Sequence, residues 1–199
     1  GIGWVGKNTM IMNREQGSWF FLGELFTNIP LPIDQPFKDH CGNCSACITV
    51  CPTQAIIKPY QLDARRCIAY LTIEHKGSID PAFRPLIGNR VFGCDDCQII
   101  CPWNKFAKIT NETDFKPRHQ LNSSQLVDLF LWDEATFLKN TEGSAIRRTG
   151  YLSWLRNLAI GLGNAQKDEK ILAALKQRQT HSSSLVREHV EWAIHRHDT

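Results

Sequence analysis

The pattern of apolar and polar residues differs between the two halves of this chain: the first half has short apolar runs, and the second has apolar residues at helical spacing. Residues 9–13 are predicted to form a strand, and the aromatic and aliphatic run at 18–26 predicts a second, buried strand after a turn at 15–17. Prolines at 30, 32 and 36 predict a linker. The apolar spacing over 62–74 predicts a short helix, and residues 75–93 form an insertion interrupted by glycine and proline.

From Ser123 onward the apolar residues follow a helical period instead. Helices that cannot bury their own apolar faces are expected to stack in pairs, which indicates a HEAT-like arrangement. The predicted helical segments are 126–130, 137–138, 152–162 ending at Gly163-Asn164, 171–176 and 185–195.

Composition excludes a membrane protein and leaves a modest positive charge. Hydrophobic residues make up 42% of the 199 residues, and no run approaches the ~18 apolar residues of a transmembrane span. We therefore expect a cytoplasmic protein. Residues 1–102 carry 9 Lys/Arg and 9 Asp/Glu, whereas residues 103–199 carry 14 and 11, so the whole net charge of +3 lies in the second half.

The first residues formally satisfy the pattern G-x-G-x-x-G. That pattern indicates dinucleotide binding only when a strand comes directly before it, and here none does. A plain glycine-rich turn is the better interpretation. Because the chain starts at Gly1 rather than Met, we also expect it to be a fragment.

The cysteines carry the strongest chemical signal. Cys41, Cys44, Cys47 and Cys51-Pro52 have the C-x2-C-x2-C-x3-C-P spacing of a bacterial ferredoxin, which holds iron–sulfur clusters. An incomplete second copy, Cys94-x2-Cys97-x3-Cys101-Pro, follows the solitary Cys67. Together these motifs use every cysteine in the chain.

In two-cluster ferredoxins the fourth cysteine of each run binds the other cluster. We therefore assign Cys41, Cys44, Cys47 and Cys101 to one 4Fe–4S cluster, and Cys51, Cys67, Cys94 and Cys97 to the other. Zinc is a weak alternative, since structural zinc sites use C-x2-C pairs and do not require the third cysteine of a C-x2-C-x2-C run. Disulfides are weaker still, because no secretory signal is visible.

Basic residues cluster in the helical half. Lys139, Arg147, Arg148 and Arg156 lie close together in sequence with aromatic residues between them, and the insertion adds a basic edge. Such a patch suits phosphate contact and base stacking. An ordinary solvated helix face is an equally good interpretation of the charges alone.

Several longer motifs resemble those of the bacterial epoxyqueuosine reductase family, and the resemblance covers nearly the whole chain. They lie beyond the cysteine loops that generic ferredoxins share. The motifs are the Gly-x-Gly-Trp-x-Gly-Lys start, Gly17 to Glu24, Asp63 to Glu74, Gly93 to Gln98, Cys101-Pro-Trp-Asn104 and Glu142 to Arg148.

The resemblance implies a cobalamin-dependent iron–sulfur oxidoreductase that reduces epoxyqueuosine to queuosine in tRNA. It implies an α+β chain with three parts: residues 1–34 as the end of an α/β cobalamin-binding domain, 35–108 as a two-cluster ferredoxin-like module and 109–199 as a HEAT-like tRNA-binding domain. Most of the cobalamin domain would be absent, and the family's proton donor, an aspartate, would lie upstream of residue 1.

The resemblance also suggests contacts within this chain. We expect Ile11 and Asn13, on one face of a strand, to touch cobalamin, and Ala69 and Asp95 to border the second cluster and reach cobalamin as well. The predicted tRNA contacts are His75, Lys76, Arg84, Arg147 and Arg148. We expect a monomer with an external electron donor of unknown identity.

Two other functions remain open at this point. A corrinoid reductive dehalogenase also combines a corrinoid with two clusters, but it would need an export signal and has no use for a basic helical tail. An electron-transfer module would pass electrons to a partner without catalysis of its own.

Overall fold

The computed structural model describes residues 1–119 and 121–198, a helix-rich chain with few strands. The strands are β1 (Trp4–Val5), β2 (Ile11–Met12), β3 (Ile56–Lys58) and β4 (Gln61–Leu62). The α-helices are α1 (Ala46–Val50), α2 (Ile68–Ile73), α3 (Arg84–Ile87), α4 (Asp96–Ile99), α5 (Leu126–Phe130), α6 (Glu134–Asn140), α7 (Tyr151–Gly163), α8 (Glu169–Gln177) and α9 (Ser184–Asp198). Short 3-10 helices span Ala64–Arg66, Pro102–Phe106, Thr113–Phe115 and Ala145–Thr149.

These elements form two compact units. The first, the N-terminal unit, comprises Gly1–Ala64 and Asp95–Asn111; the second, the helical unit, comprises Arg65–Cys94 and the chain from Glu112 onward. The units do not follow the three consecutive ranges expected from sequence, because the insertion at 75–93 is grouped with the C-terminal helices. None of the described helices is long and apolar enough to span a bilayer.

The N-terminal unit contains two small antiparallel hairpins. In the first, Trp4 pairs with Met12 and Val5 with Ile11, which confirms the core of the predicted 9–13 strand. Gly3 is required here, since a Cβ atom would lie 1.9 Å from the carbonyl oxygen of Met12. The glycine-rich start is therefore a tightly packed hairpin, and it supports no dinucleotide site. In the second hairpin Ile56 pairs with Leu62.

The predicted strand at 18–26 is wrong. The chain from Phe20 to Thr27 has no regular secondary structure, and Leu25, Phe26 and Ile33 are 97%, 97% and 94% exposed. A strand needs a neighbouring strand to pair its backbone groups, and among the described residues this segment has none. Its apolar composition indicated burial, but composition alone cannot supply the partner.

The predicted helix at 62–74 is confirmed only in its second half. Cys67 has an extended backbone (φ −71°, ψ 124°) and precedes α2, so it interrupts any continuous helix. Leu62 lies in β4 instead.

The helical unit is built around α7, whose central turns are fully buried. Periodicity predicted this helix and its end at Gly163-Asn164 correctly. At Gly163 the helix passes so close to α9 that a Cβ atom would lie 2.9 Å from the Cβ of Ala193. The remaining core residues come from the neighbouring helices and include Phe130, Phe137, Leu175, Val186 and Val190.

Polar side chains of α7 hold the insertion in place. Arg156 donates to the carbonyl oxygens of Leu71 (2.7 Å), His75 (2.8 Å) and Gly77 (2.7 Å). Asn157 donates to the carbonyls of Thr72 and Val91, both at 2.8 Å. Because these groups belong to the core of the helical unit, the insertion is an integral part of it.

Candidate functional site

Four of the eight cysteines line one cavity in the N-terminal unit. Cys41 and Cys44 lie in the loop before α1, Cys47 lies in α1, and Cys101 precedes the 3-10 helix Pro102–Phe106. All four border a space of about 370 Å³. The predicted first ligand set is therefore brought together, although its members are up to 60 residues apart in sequence (101 − 41).

Electrostatics in this cavity favour a bound cation. Burial raises the pKa of the Cys47 thiol, and the neighbouring Cys101, Cys41 and Cys44 raise it further. Burial likewise raises the pKa of Cys101, with added effects from Cys41 and Cys44. Thiolates crowded together oppose each other's ionisation until a metal supplies positive charge. This donor set therefore fits an iron–sulfur cluster, which thiolates bind.

The cavity that the four thiols line, about 370 Å³, is large enough for a group of several atoms. Among residues 1–119 and 121–198, no group of three or more His, Cys, Asp or Glu is arranged to hold a single metal ion. Ligands of one zinc ion would all lie about 2.3 Å from it. A cube of four iron atoms separates its ligands more widely, as a cavity of this size allows.

Lys7 supports the cysteine loop. Its ammonium group donates to the carbonyl oxygens of Gly42 (2.6 Å) and Cys44 (2.8 Å). The amide of Cys41 donates to Asp39 at 2.7 Å, and the Tyr60 hydroxyl donates to the same carboxylate. That hydrogen bond raises the pKa of Tyr60 to about 12 and, with the Cys41 amide, lowers the pKa of Asp39.

Two asparagines support the second cysteine motif. Asn8, which is buried, donates to the carbonyl oxygen of Cys97 at 3.3 Å. Asn104 donates to the Gln98 carbonyl at 2.6 Å and accepts from the Ser18 amide at 2.6 Å. Sequence reasoning gave neither asparagine a role. Asn104 belongs to one of the family motifs, and Asn8 directly follows another, which was the available signal.

An aromatic group lies beside the cavity. The ring centroid of Trp4 is 5.0 Å from those of both His40 and Trp103, in edge-to-face geometry. Trp103 in turn lies 5.9 Å from Phe106. Three of these rings, His40, Trp103 and Phe106, are part of the lining of the cavity.

The other four cysteines are divided between the two units. Cys51 and Cys97 belong to the N-terminal unit, and Cys67 and Cys94 to the helical unit. The Cys51 sulfur accepts from the amide of Ala55 at 3.2 Å, the kind of contact that stabilises a thiolate. Their grouping as one ligand set stays a prediction.

The residues predicted to border cobalamin also lie in both units. In β2 the side chain of Met12 is buried, so the alternating Ile11 and Asn13 lie on the opposite, partly exposed face. The Asn13 amide donates to the Ile2 carbonyl at 2.8 Å. Asp95 precedes α4 in the N-terminal unit, and Ala69 lies in α2 of the helical unit.

Arg84 does not lie on a nucleic-acid surface, and its prediction is wrong. It is 2% exposed, donates to the Ile79 carbonyl at 2.7 Å and pairs with Glu188. Arg156, part of the basic patch, is fully buried for the same reason: its donors are used inside the unit. Charge in a sequence does not distinguish such arginines from surface ones.

The remaining basic residues lie at the surface of the helical unit. Arg147 and Arg148 lie in the 3-10 helix Ala145–Thr149 and are exposed. Arg148 forms an ion pair of 2.8 Å with Glu74, and its side chain is still 69% exposed. His75 and Lys76 follow α2, and Lys76 donates to the carbonyls of Arg148 and Thr149. These four residues therefore belong to one surface region, the basic surface.

Comparison with known families first shows that part of this chain is similar to an iron–sulfur domain. Residues 40–104 match the family described as the 4Fe-4S double cluster binding domain, in agreement with the four-thiol cavity. Within that class, the chain is 62% identical over 198 residues to the epoxyqueuosine reductase of Pseudomonas aeruginosa and 59% identical over 194 residues to that of Escherichia coli K12. The matches cover 99% and 98% of this chain, but 55% and 51% of those proteins.

Solved structures agree. A structure of epoxyqueuosine reductase from Bacillus subtilis matches 98% of this chain with a TM-score of 0.90 at 35% identity, and 52% of that protein is covered. A crystal structure of epoxyqueuosine reductase with an epoxyqueuosine-modified tRNA-Tyr stem loop matches with a TM-score of 0.82 at 30% identity, over 100% of this chain and 61% of that one. The predicted resemblance is confirmed, and the chain spans about half the length of the curated relatives it matches.

Proposed function

We propose that this chain is the electron-carrying and tRNA-holding part of a tRNA epoxyqueuosine reductase. Such an enzyme reduces epoxyqueuosine to queuosine at the anticodon wobble position. The observation that carries the proposal is the match to epoxyqueuosine reductases over 99% of the chain at 62% identity. The activity is proposed for a full-length protein that contains this chain together with the part of the relatives' sequence that the chain does not cover.

Two 4Fe–4S clusters would carry the electrons. Cys41, Cys44, Cys47 and Cys101 would hold the first, since all four thiols border one cavity. Cys51, Cys67, Cys94 and Cys97 would hold the second, for which the support is the cysteine spacing and the double-cluster family match. Removing an epoxide oxygen as water takes two electrons and two protons, so each cluster would pass one electron at a time.

Cobalamin is the further cofactor that the resemblance implies, and when bound it supplies a strongly reducing, nucleophilic cobalt centre. The partly exposed face of β2 fits a contact with it: Ile11 offers apolar surface, and Asn13 is oriented by its bond to the Ile2 carbonyl. Asp95 and Ala69, which are close in sequence to the cysteines of the second cluster, are proposed to border that cluster and cobalamin. No residue of this chain is assigned as the catalytic acid.

The basic surface would contact tRNA through Arg147, Arg148 and His75. Exposed guanidinium groups bind phosphate by paired hydrogen bonds and release counterions. The ion pair of Arg148 with Glu74 is no obstacle, since surface pairs of this kind contribute only about 0–1 kcal/mol. We expect the double variant R147A/R148A to bind tRNA more weakly and to reduce the slope of log affinity against log salt by about one per lost contact.

Further features of the proposal follow from the family resemblance. The stacked helices α5–α9 would form a HEAT-like tRNA-binding domain, and the N-terminal residues would complete a cobalamin domain. We propose a cytoplasmic monomer that receives electrons from an external donor. The absence of a membrane-spanning helix among the described residues is compatible with this.

The activity can be tested in the full-length protein that contains this chain, purified without oxygen. Epoxyqueuosine-modified tRNA is incubated with the protein and a low-potential reductant, and the nucleosides are measured by mass spectrometry. We expect queuosine in the parent reaction and none with Cys47→Ala, whereas Ser45→Ala in the same loop should retain activity. Reduced clusters with unchanged tRNA in the parent reaction would favour an electron-transfer module instead.

A further inference from the structure

Lys76 has no hydrogen-bond donor left for an RNA phosphate. An ammonium group has three donors, and all three are used: Nζ lies 3.1 Å from the Ile73 carbonyl, 3.0 Å from that of Arg148 and 2.9 Å from that of Thr149. The residue is exposed, yet its charge is directed at the backbone. We propose that Lys76 is a positioning residue that fixes the turn carrying Arg147 and Arg148.

The three acceptors explain why this contact matters. The Ile73 carbonyl lies at the end of α2, and the other two lie at the end of the 3-10 helix Ala145–Thr149. Carbonyl groups at helix ends lack partners within the helix and carry partial negative charge. One ammonium group therefore satisfies two helix ends and joins them across 72 residues of sequence (148 − 76).

The two ends of the turn are held differently. Ile146 packs against the core of the helical unit, and Thr149 is buried. The turn is a single 3-10 helix followed by Gly150, which has a positive φ of 76°. The ion pair between Arg148 and Glu74 is a surface link that a phosphate can displace. Lys76, in contrast, still binds the carbonyl groups of Arg148 and Thr149 when the arginine side chains turn to a ligand.

This inference rests on the proposed tRNA function, and it changes what Lys76 contributes. A turn that is already ordered loses less conformational entropy on binding. Lys76 would thus raise affinity through the two arginines, not through a phosphate contact of its own. Where the arginines are absent, its removal should have no effect beyond the loss of one positive charge.

The binding test is a double-mutant cycle in the full-length protein with an epoxyqueuosine tRNA stem loop. Lys76→Met keeps the length of the side chain and removes its donors. We expect K76M to weaken binding roughly tenfold in the parent, and in the R147A/R148A background to weaken it no more than the loss of one positive charge does. Lys139→Met, at an exposed position on α6, controls for the loss of one positive charge and should weaken both backgrounds equally and slightly.

A second measurement does not depend on RNA. Trypsin cleaves after arginine, so a loosened turn should be cut faster at Arg147 and Arg148 in K76M than in the parent or in K139M. Lys76→Arg, which retains a cation with donors, should restore part of the protection.

Three outcomes would overturn the inference: equal weakening by K76M in both backgrounds, unchanged binding in the parent, or unchanged cleavage of the turn. If R147A/R148A itself binds normally, the proposed tRNA surface fails. Faster cleavage in K76M would in that case still support the positioning of the turn, so the two failures can be told apart.

Discussion

The burial of Arg156 leads to a strong prediction about stability. All five of its N–H donors are satisfied by neutral acceptors: the carbonyls of Leu71, His75 and Gly77, and the Asn157 side-chain oxygen, which accepts twice. Burial lowers the pKa of Arg156 to about 10, so it stays charged near neutral pH. Arg156 is therefore a charged link between the insertion and α7, in addition to the neutral hydrogen bonds of Asn157.

Replacing Arg156 with leucine would leave those three backbone carbonyls without a donor. A buried group that loses its hydrogen bond costs about 1–3 kcal/mol. Three such groups would together cost about 3–9 kcal/mol, and because the surrounding backbone can relax we expect a loss in the lower half of that range, about 3–6 kcal/mol. That is a large share of the ~5–15 kcal/mol by which domains are stable.

The assay is urea unfolding of the full chain, followed by the circular dichroism of the helices. Arg156→Lys keeps the charge but has only three donors, and its loss should be intermediate. The exposed Arg147 is the matched control, since R147L should change the free energy of unfolding by no more than ~0.5 kcal/mol. If the free energy of unfolding of R156L lies within about 1 kcal/mol of that of the parent, with the same denaturant slope, then the hydrogen bonds of Arg156 are not what holds the insertion.

Three further predictions concern other sites. Cys44→Ala should lower the bound iron to about half that of the parent, measured by iron analysis; loss of all or none would contradict independent ligand sets. Lys7→Met should lower the midpoint potential of one cluster in an EPR titration, because it removes a cation from the cysteine loop; an unchanged potential would refute this. Burial lowers the pKa of His189 from 6.5 to about 4 despite Glu188, with Arg84 and Arg156 adding to the effect. As pH falls through that window, His189 of the unfolded chain binds a proton while His189 of the folded chain does not, so about 3 kcal/mol of stability is lost by the time the pH is below both pKa values. His189→Gln should therefore reduce the difference between the free energies of unfolding measured at pH 7 and at pH 4.5.

Sequence was most informative where the chemistry is local. Three of the four thiols that line the cavity come from one seven-residue segment, Cys41 to Cys47, and their spacing alone predicted a cluster. The helix α7 was equally clear, because its apolar residues repeat with the helical period. In both cases neighbours in sequence are also neighbours in space.

Sequence was least informative where a residue's partner is distant. Arg84 and Arg156 were interpreted as surface charge, yet their acceptors are carbonyls and a carboxylate contributed by other segments. The same holds for Lys76, two of whose three acceptors lie more than 70 residues away. A basic residue reveals its donors in the sequence, but only the fold shows what accepts from them.

The exposed apolar segment near the N-terminus affects how the isolated chain would behave in solution. Leu25, Phe26 and Ile33 are almost fully exposed, and contiguous apolar surface of this kind favours self-association. Pro30 and Pro32 lie between Phe26 and Ile33, Pro36 follows, and proline cannot donate to a β-ladder. These prolines act as gatekeepers: they allow loose hydrophobic clustering but oppose growth of the segment into an ordered cross-β aggregate.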